Sequence, residues 1–168
     1  MPGRSSLETE TKSNVHPIYA SATRLDGFIE GEIGQDGKPD FESPCKARLE
    51  VPLSAMGTGN RLQDMEMQRR MEARQHPVIR VDLIRAWSLN ADGRCRAAFE
   101  VTARGRSRSY EEDFSLNTSA GRIIVEGQHA FDMRDFGVDP PRFFSMKVEP
   151  EVKVRLRIEA EEVQGGDA

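Results

Sequence analysis

The hydrophobic pattern of this chain has a period of two over most of its length. From Lys147 to Glu159 the even positions are Val148, Pro150, Val152, Val154, Leu156 and Ile158, and every odd position is charged. Successive side chains of a strand point to opposite faces, so this run predicts one long strand with a wet face and a buried face. The same alternation recurs upstream. His16 to Arg24 and Gly27 to Ile33 predict a hairpin, ended by the turn cluster Gly34 to Pro39. In Cys45 to Leu53, the residues Cys45, Ala47, Leu49 and Val51 oppose Lys46, Arg48 and Glu50.

Four further strands follow. Pro77 to Leu89 sets Ile79, Val81 and Leu83 against Arg80 and Asp82, and the turn Asn90 to Gly93 leads into Arg94 to Ala103, with Cys95, Ala97, Phe99 and Val101 on one face. After Arg104-Gly105-Arg106 comes Ser107 to Leu116, where Tyr110, Phe114 and Leu116 share a side. In Gly121 to Met133 the shared face holds Ile123, Val125, His129, Phe131 and Met133. One segment departs from the pattern. Asn60 to Arg74 is polar and Met-rich, lacks Gly and Pro, and predicts a helix with Leu62, Met65, Met67 and Met71 as a weak stripe. His76-Pro77 ends it, because a residue before proline disfavours the α region.

About eight strands, each apolar on one side, and one short helix leave a sandwich or a sheet closed on itself. Strands of this length favour closure, since long open edges invite pairing with other chains. The expectation is an all-β, antiparallel closed barrel of about eight strands with one short helix. Such a barrel either fills its interior with its own side chains or holds one small ligand. At 168 residues the chain suits a single domain, expected over 15–162 between flexible tails 1–14 and 163–168.

The 24 basic and 28 acidic residues are interleaved, which predicts a solvated, ion-paired outer surface and argues against a nucleic-acid groove. Residues 1–14 lack the apolar stretch of a secretory signal, and no run of about 20 apolar residues exists to span a membrane. The expected location is the cytoplasm, or the periplasm for a chain whose leader has been removed. Cys45 and Cys95, in separate strands, read as buried free thiols; a disulfide would require Cα atoms about 5–6 Å apart.

The chemistry-bearing residues form no catalytic signature. Asp135-Phe136-Gly137 invites comparison with a kinase magnesium motif, but the Gly-rich phosphate loop and the His-Arg-Asp loop are missing, so a strand-ending turn is the reading. His16, His76 and His129 lie on three elements without ligand spacing, and no metal site is expected. G-x-S-x-G and H-E-x-x-H are absent, and neither catalytic residues nor a cofactor is expected. Asp139 to Met146 stands out: two prolines stiffen it, and Phe143, Phe144 and Met146 sit beside a strand start. These side chains would plug the barrel end, gate a ligand or touch a second copy in a homodimer.

Several stretches, in order, carry a family likeness: Leu25-Asp26-Gly27-Phe28, Val51-Pro52-Leu53-Ser54 with Thr58-Gly59-Asn60, Asp64, His76-Pro77-Val78-Ile79, Asp135-Phe136-Gly137-Val138, and Val148 to Ala160. On these the chain resembles the YceI-like family, lipocalin-like barrels that bind polyisoprenoid or other amphipathic lipids. It departs from that family where an Arg-Asp pair and a nearby His are common, reading Gln63-Asp64 and Glu66, and where Met133 stands two residues before the Asp-Phe-Gly in place of Arg. The family's periplasmic leader is also not seen.

The resemblance implies a non-enzymatic protein that binds, sequesters or transports an amphipathic lipid, isoprenoid or fatty, in the barrel lumen. The lumen face is drawn from Ile79, Val81 and Leu83, from Phe99 and Val101, and from Tyr110 and Phe114. Val125, His129, Phe131 and Met133 continue it, with Val152, Val154 and Leu156. Arg61, Met65, Arg134, Arg142, Phe143 and Phe144 are expected at the rim or gate, the three arginines as head-group anchors, because a guanidinium matches phosphate or carboxylate geometry. The alternative is a protein-interaction module with a filled barrel that docks a partner through Phe143-Phe144.

Overall fold

The computed structural model describes residues 5–35, 39–90, 92–143 and 145–161. The strands are β1 (Ser6–Ser13), β2 (Ile18–Ala22), β3 (Asp26–Glu30), β4 (Glu32–Ile33), β5 (Pro39–Asp40), β6 (Lys46–Pro52), β7 (Met56–Gly57), β8 (Val78–Ser88), β9 (Arg94–Ala103), β10 (Arg106–Ser119), β11 (Arg122–Asp132), β12 (Arg142–Phe143) and β13 (Met146–Glu161). One α-helix, α1 (Arg61–Arg70), and two 3-10 turns, Leu53–Ala55 and Met133–Phe136, complete the described elements.

The long alternating run is β13, and it joins two halves of the sheet. It pairs antiparallel with β11 from Arg122 opposite Glu161 to Asp132 opposite Glu151, and with β1 from Ser6 opposite Arg157 to Ser13 opposite Val148. Its charged row is exposed at Lys147, Glu149, Glu151, Lys153 and Arg155, while Val148 is buried. Hairpins with glycine turns build the rest. Arg104-Gly105 and Ala120-Gly121 both have positive φ at each central residue, the geometry that joins twisted antiparallel strands in two-residue loops.

The strands follow the path β3-β6-β8-β9-β10-β11-β13-β1-β2-β7, a curled antiparallel sheet of ten strands, with β12 beside β13 and the β4–β5 hairpin separate. This half-barrel stands in place of the expected closed barrel of about eight strands. The expected first hairpin is also absent: β2 pairs with β1 and β7, whereas β3 pairs with β6. The chain carries on through Thr23–Leu25 because no tight-turn residues reverse it there. A matching break lies opposite, where the 3-10 turn Leu53–Ala55 buries Leu53 and Ala55 between β6 and β7. Thr23 N donates to Ala55 O at 2.8 Å, so the two breaks meet across the gap in the ladder.

The expected flexible tail at 1–14 is corrected by β1. Residues 6–13 alternate in the same way as their neighbours, but with Thr at inward positions, so the polar composition hides a strand. Leu7 is 8% exposed and packs with Val51 and Met56, one of two core clusters. The other gathers Val101, Ala103, Phe136 and Val138 at one end of the sheet. The predicted helix is shorter than 60–74: the Asn60 carboxamide caps it by accepting from Leu62 N and Gln63 N, and Glu72, at φ 52°, ends its extension. Phe144, the side chain of Phe143 and residues 162–168 lie outside the described residues.

If β1 is part of the fold, Leu7→Ala lowers the unfolding free energy by about 2–3 kcal/mol. Lys12→Ala, on the exposed face of the same strand, stays within about 0.5 kcal/mol in the same urea titration. A flexible segment would make the two variants equal.

Candidate functional site

The inward side chains of the sheet surround a cavity of about 1160 Å³, larger than the roughly 300–1,000 Å³ of ordinary small-molecule pockets. Its wall follows from the registers. Val81 opposes Val101, Leu83 opposes Phe99, Phe131 opposes Val152 and His129 opposes Val154, so one apolar residue from each pleat is brought to a common interior. A bulge at Ile84 shifts the register of β8, and Ala86, not Ile84, faces the cavity beyond it.

Every described residue expected in the lumen lines this cavity except Tyr110. Ile79, Val81, Leu83, Phe99, Val101, Phe114, Val125, His129, Phe131, Met133, Val152, Val154 and Leu156 are all on its surface. Tyr110 is turned into the wall. Its ring lies 5.0 Å from Phe131 and 5.1 Å from His129, and its hydroxyl donates to Asp135 Oδ2 at 3.0 Å. Burial, with the hydrogen bond to Asp135 and that carboxylate's negative charge, pushes the Tyr110 pKa from its ordinary 10 up to about 12.

One end of the cavity is closed by the segment 133–141 and by α1. Phe136 and Val138 are buried there, and Gly137 takes the left-handed conformation, φ 74°, that ends the 3-10 turn. Asp135-Phe136-Gly137 is thus the strand-ending turn. Arginines tie this base to the sheet: Arg104 Nη1 donates to Gly137 O at 2.7 Å and Nη2 to Glu72 at 3.0 Å, Arg108 Nε donates to Asp135 O, and Arg70 Nη1 donates to Asp139 O. At the other end Glu30, Glu32, Pro39, Asp40 and Phe41 border the cavity. Ile29 lines it there and is 41% exposed, so solvent reaches the wall on this side.

Of the expected rim residues, the described side chains Arg61, Met65, Arg134 and Arg142 do not line the cavity. Arg61 is exposed, and Met65 is 57% exposed on the outer face of α1. The inner face is Gln63, Met67, Arg70 and Met71, spaced at i, i+4, i+7 and i+8, a stripe whose polar members concealed it. Arg134 folds back on Asp132, with contacts of 2.6 and 2.9 Å, and Arg142 is exposed opposite Lys147. None of these three arginines is among the cavity residues. Asp64 instead holds the loop before the helix, accepting from Thr58 N and Thr58 Oγ1 at 2.8 Å each.

The polar feature of the wall is a pair that sequence reasoning half missed. His129 Nδ1 lies 2.8 Å from Glu112 Oε2, both residues inward and both on the cavity surface. Glu112 was passed over because it sits among Glu111, Glu112 and Asp113, but strand parity with Tyr110 and Phe114 points to it. Glu111 and Asp113 face outward and pair with Arg96. Cys45 and Cys95 are free thiols, and burial raises the pKa of Cys95. Among the described residues no three His, Cys, Asp or Glu side chains converge as a metal site, and no helix is long and apolar enough to cross a membrane.

A curled antiparallel sheet around a large apolar cavity, stopped at one end by a helix and an aromatic turn, defines an all-β half-barrel cavity protein. The YceI-like domain matches residues 4–160, and the chain belongs to that family. Its structure is similar to that of Burkholderia cenocepacia BcnA, with a TM-score of 0.79 at 10% identity over 93% of this chain and 96% of that one. It is also similar to a Campylobacter jejuni YceI protein, with a TM-score of 0.71 at 13% identity over 88% and 86% of the two chains. A polyisoprenoid binding domain from Saccharophagus degradans aligns with a TM-score of 0.69 at 14% identity over 94% and 93%. No curated protein matches the chain.

The raised Tyr110 pKa has a defined consequence. The folded state holds the phenol proton more tightly than the unfolded state, so this contribution to stability is complete below pH 10 and is lost as pH rises through about 12. Absorbance at 295 nm should show a phenolate ionising towards pH 12, and Tyr110→Phe should remove it while costing about 1 kcal/mol at pH 7 from the lost hydrogen bond. A late-ionising phenolate that survives the substitution would assign the shift elsewhere.

Proposed function

We propose that this protein binds an amphipathic lipid of the isoprenoid class in the cavity and sequesters or carries it without chemical conversion. The observation behind this is the apolar interior of about 1160 Å³, walled by residues of the whole sheet. Membership of the YceI-like family supports it, as does likeness to a protein described as a polyisoprenoid binding domain.

The energetics suit a chain-like ligand. Each buried methylene is worth about 0.8 kcal/mol, so a five-carbon isoprene unit contributes about 4 kcal/mol, against association costs of about 4–15 kcal/mol. The first one to four enclosed units offset those costs, and further units supply net affinity. Polar anchoring at the rim is not required.

Organic-solvent extraction of natively purified protein, followed by mass spectrometry, should release a lipid in near-stoichiometric amount. Ala97→Trp, which places an indole in the cavity, should weaken uptake of a prenyl probe by about tenfold or more, while the exposed bulge variant Ile84→Ser leaves it unchanged. Protein that carries no lipid and takes up no prenyl or fatty probe is not a carrier.

A further inference from the structure

The registers stack the inward side chains in rings around the cavity, and one ring differs from those beside it. In it Ala86 opposes Ala97, Ala97 opposes Glu112, His129 opposes Val154, Val154 opposes Thr9, and Thr9 opposes Ala20. The Glu112–His129 hydrogen bond closes the step between β10 and β11. The ring next to it towards the closed end is bulky: Leu83, Phe99, Tyr110, Phe131 and Val152. The wall therefore recedes, through alanines and a threonine, at the height where it carries a carboxylate.

Asp113, Glu161 and, at the open end, Glu30, Glu32 and Asp40 also border the cavity. The Asp113 and Glu161 carboxylates pair with Arg96 and Arg122, and Asp82 pairs with Arg48. On β8 to β11 and β13, Glu112 is thus the bordering carboxylate without an arginine partner among the described residues. The side chains of Glu112 and His129 are 38% and 20% exposed, and both face the cavity. Glu112 Oε2 lies 2.8 Å from His129 Nδ1, and Glu112 Oε1 accepts from Asp113 N at 3.0 Å. A carboxylate offers about four acceptor sites, so two remain. The site is rich in acceptors, and its occupant has to bring donors.

A cation gains most there. Charge-assisted hydrogen bonds are about twice as strong as neutral ones, and an apolar enclosure strengthens them further. We propose that the preferred ligand is an amphipathic amine, its protonated nitrogen hydrogen-bonded to Glu112 inside the cavity and its apolar chain along the bulky rings. This rests on the cavity being a lipid-binding site, and it names the head-group chemistry and the residue that reads it.

Displacement of the neutral probe diphenylhexatriene from the full chain by dodecylamine, dodecanol and dodecanoate at pH 7 tests this. Dodecylamine should displace it at roughly tenfold lower concentration than dodecanol, and dodecanoate should be the weakest. Glu112→Gln should bring the amine to the level of the alcohol while moving the alcohol by less than about twofold, and Glu126→Gln, on the outer face, should change neither. Equal competition by amine and alcohol in the unmodified protein overturns the amine assignment and leaves the cavity a lipid site, whichever way the variant folds. An amine advantage that survives Glu112→Gln in folded protein also overturns it. Failure of diphenylhexatriene to enter at all sinks the lipid site and the amine assignment together.

Discussion

A sheet that is apolar on one face and has no second layer to cover it has to bury that face against itself. Here each long strand puts charge on one side and Val, Ile, Leu or Phe on the other, while the single ten-residue helix is too short to act as a covering layer. Curling is the remaining way to remove the apolar face from water. The devices that achieve it are local: glycine hairpins between β9 and β10 and between β10 and β11, the bulge at Ile84, the register shift in β1 between Thr11 and Ser13, and the paired breaks at Thr23–Leu25 and Leu53–Ala55. β13 is central because it satisfies its backbone on both edges, joining β11 to β1.

The same constraint creates the cavity. A curled wall meets itself only where side chains are long enough to cross the interior, and along the middle of this sheet they are not: Ala86, Ala97 and Ala20 leave space that Val154 and His129 do not fill. Bulk is concentrated at one end, where Phe136 and Val138 pack under the turn of 133–136. Arg104 shows how firmly that end is tied. Its guanidinium bonds both Gly137 and Glu72, and its Nε is buried without a partner, a cost met by joining hairpin, helix and turn at one point.

The alternation identified most of the long strands, and through parity nearly every residue it assigns to the lumen is on the cavity wall. That worked because a half-buried strand writes its two faces directly into its sequence. It failed where composition masks the faces. β1 places Thr9 and Thr11 inward, which makes its composition read as a tail, and α1 presents Gln63 and Arg70 to the cavity beside Met67 and Met71, so the apolar stripe points instead to the outer residues Arg61 and Met65. Tyr110 has the correct parity for the lumen, but its hydroxyl is drawn to Asp135, a contact between residues 25 apart that periodicity does not encode.

By itself the sequence determined the fold class, the wet and dry faces of the strands, the turn at Asp135-Phe136-Gly137 and the family likeness, because each of these depends on neighbours a few residues apart. Tertiary structure decided the rest: that β2 and β3 pair with different strands, that β3 and β7 are unpaired with each other among the described residues, that the curled sheet encloses a cavity, and that Glu112 among three adjacent acids meets His129 inside it. Those outcomes depend on which distant strands come together and in what register, and on whether side chains of summed volume fill the space between them. A pattern along one strand carries neither quantity.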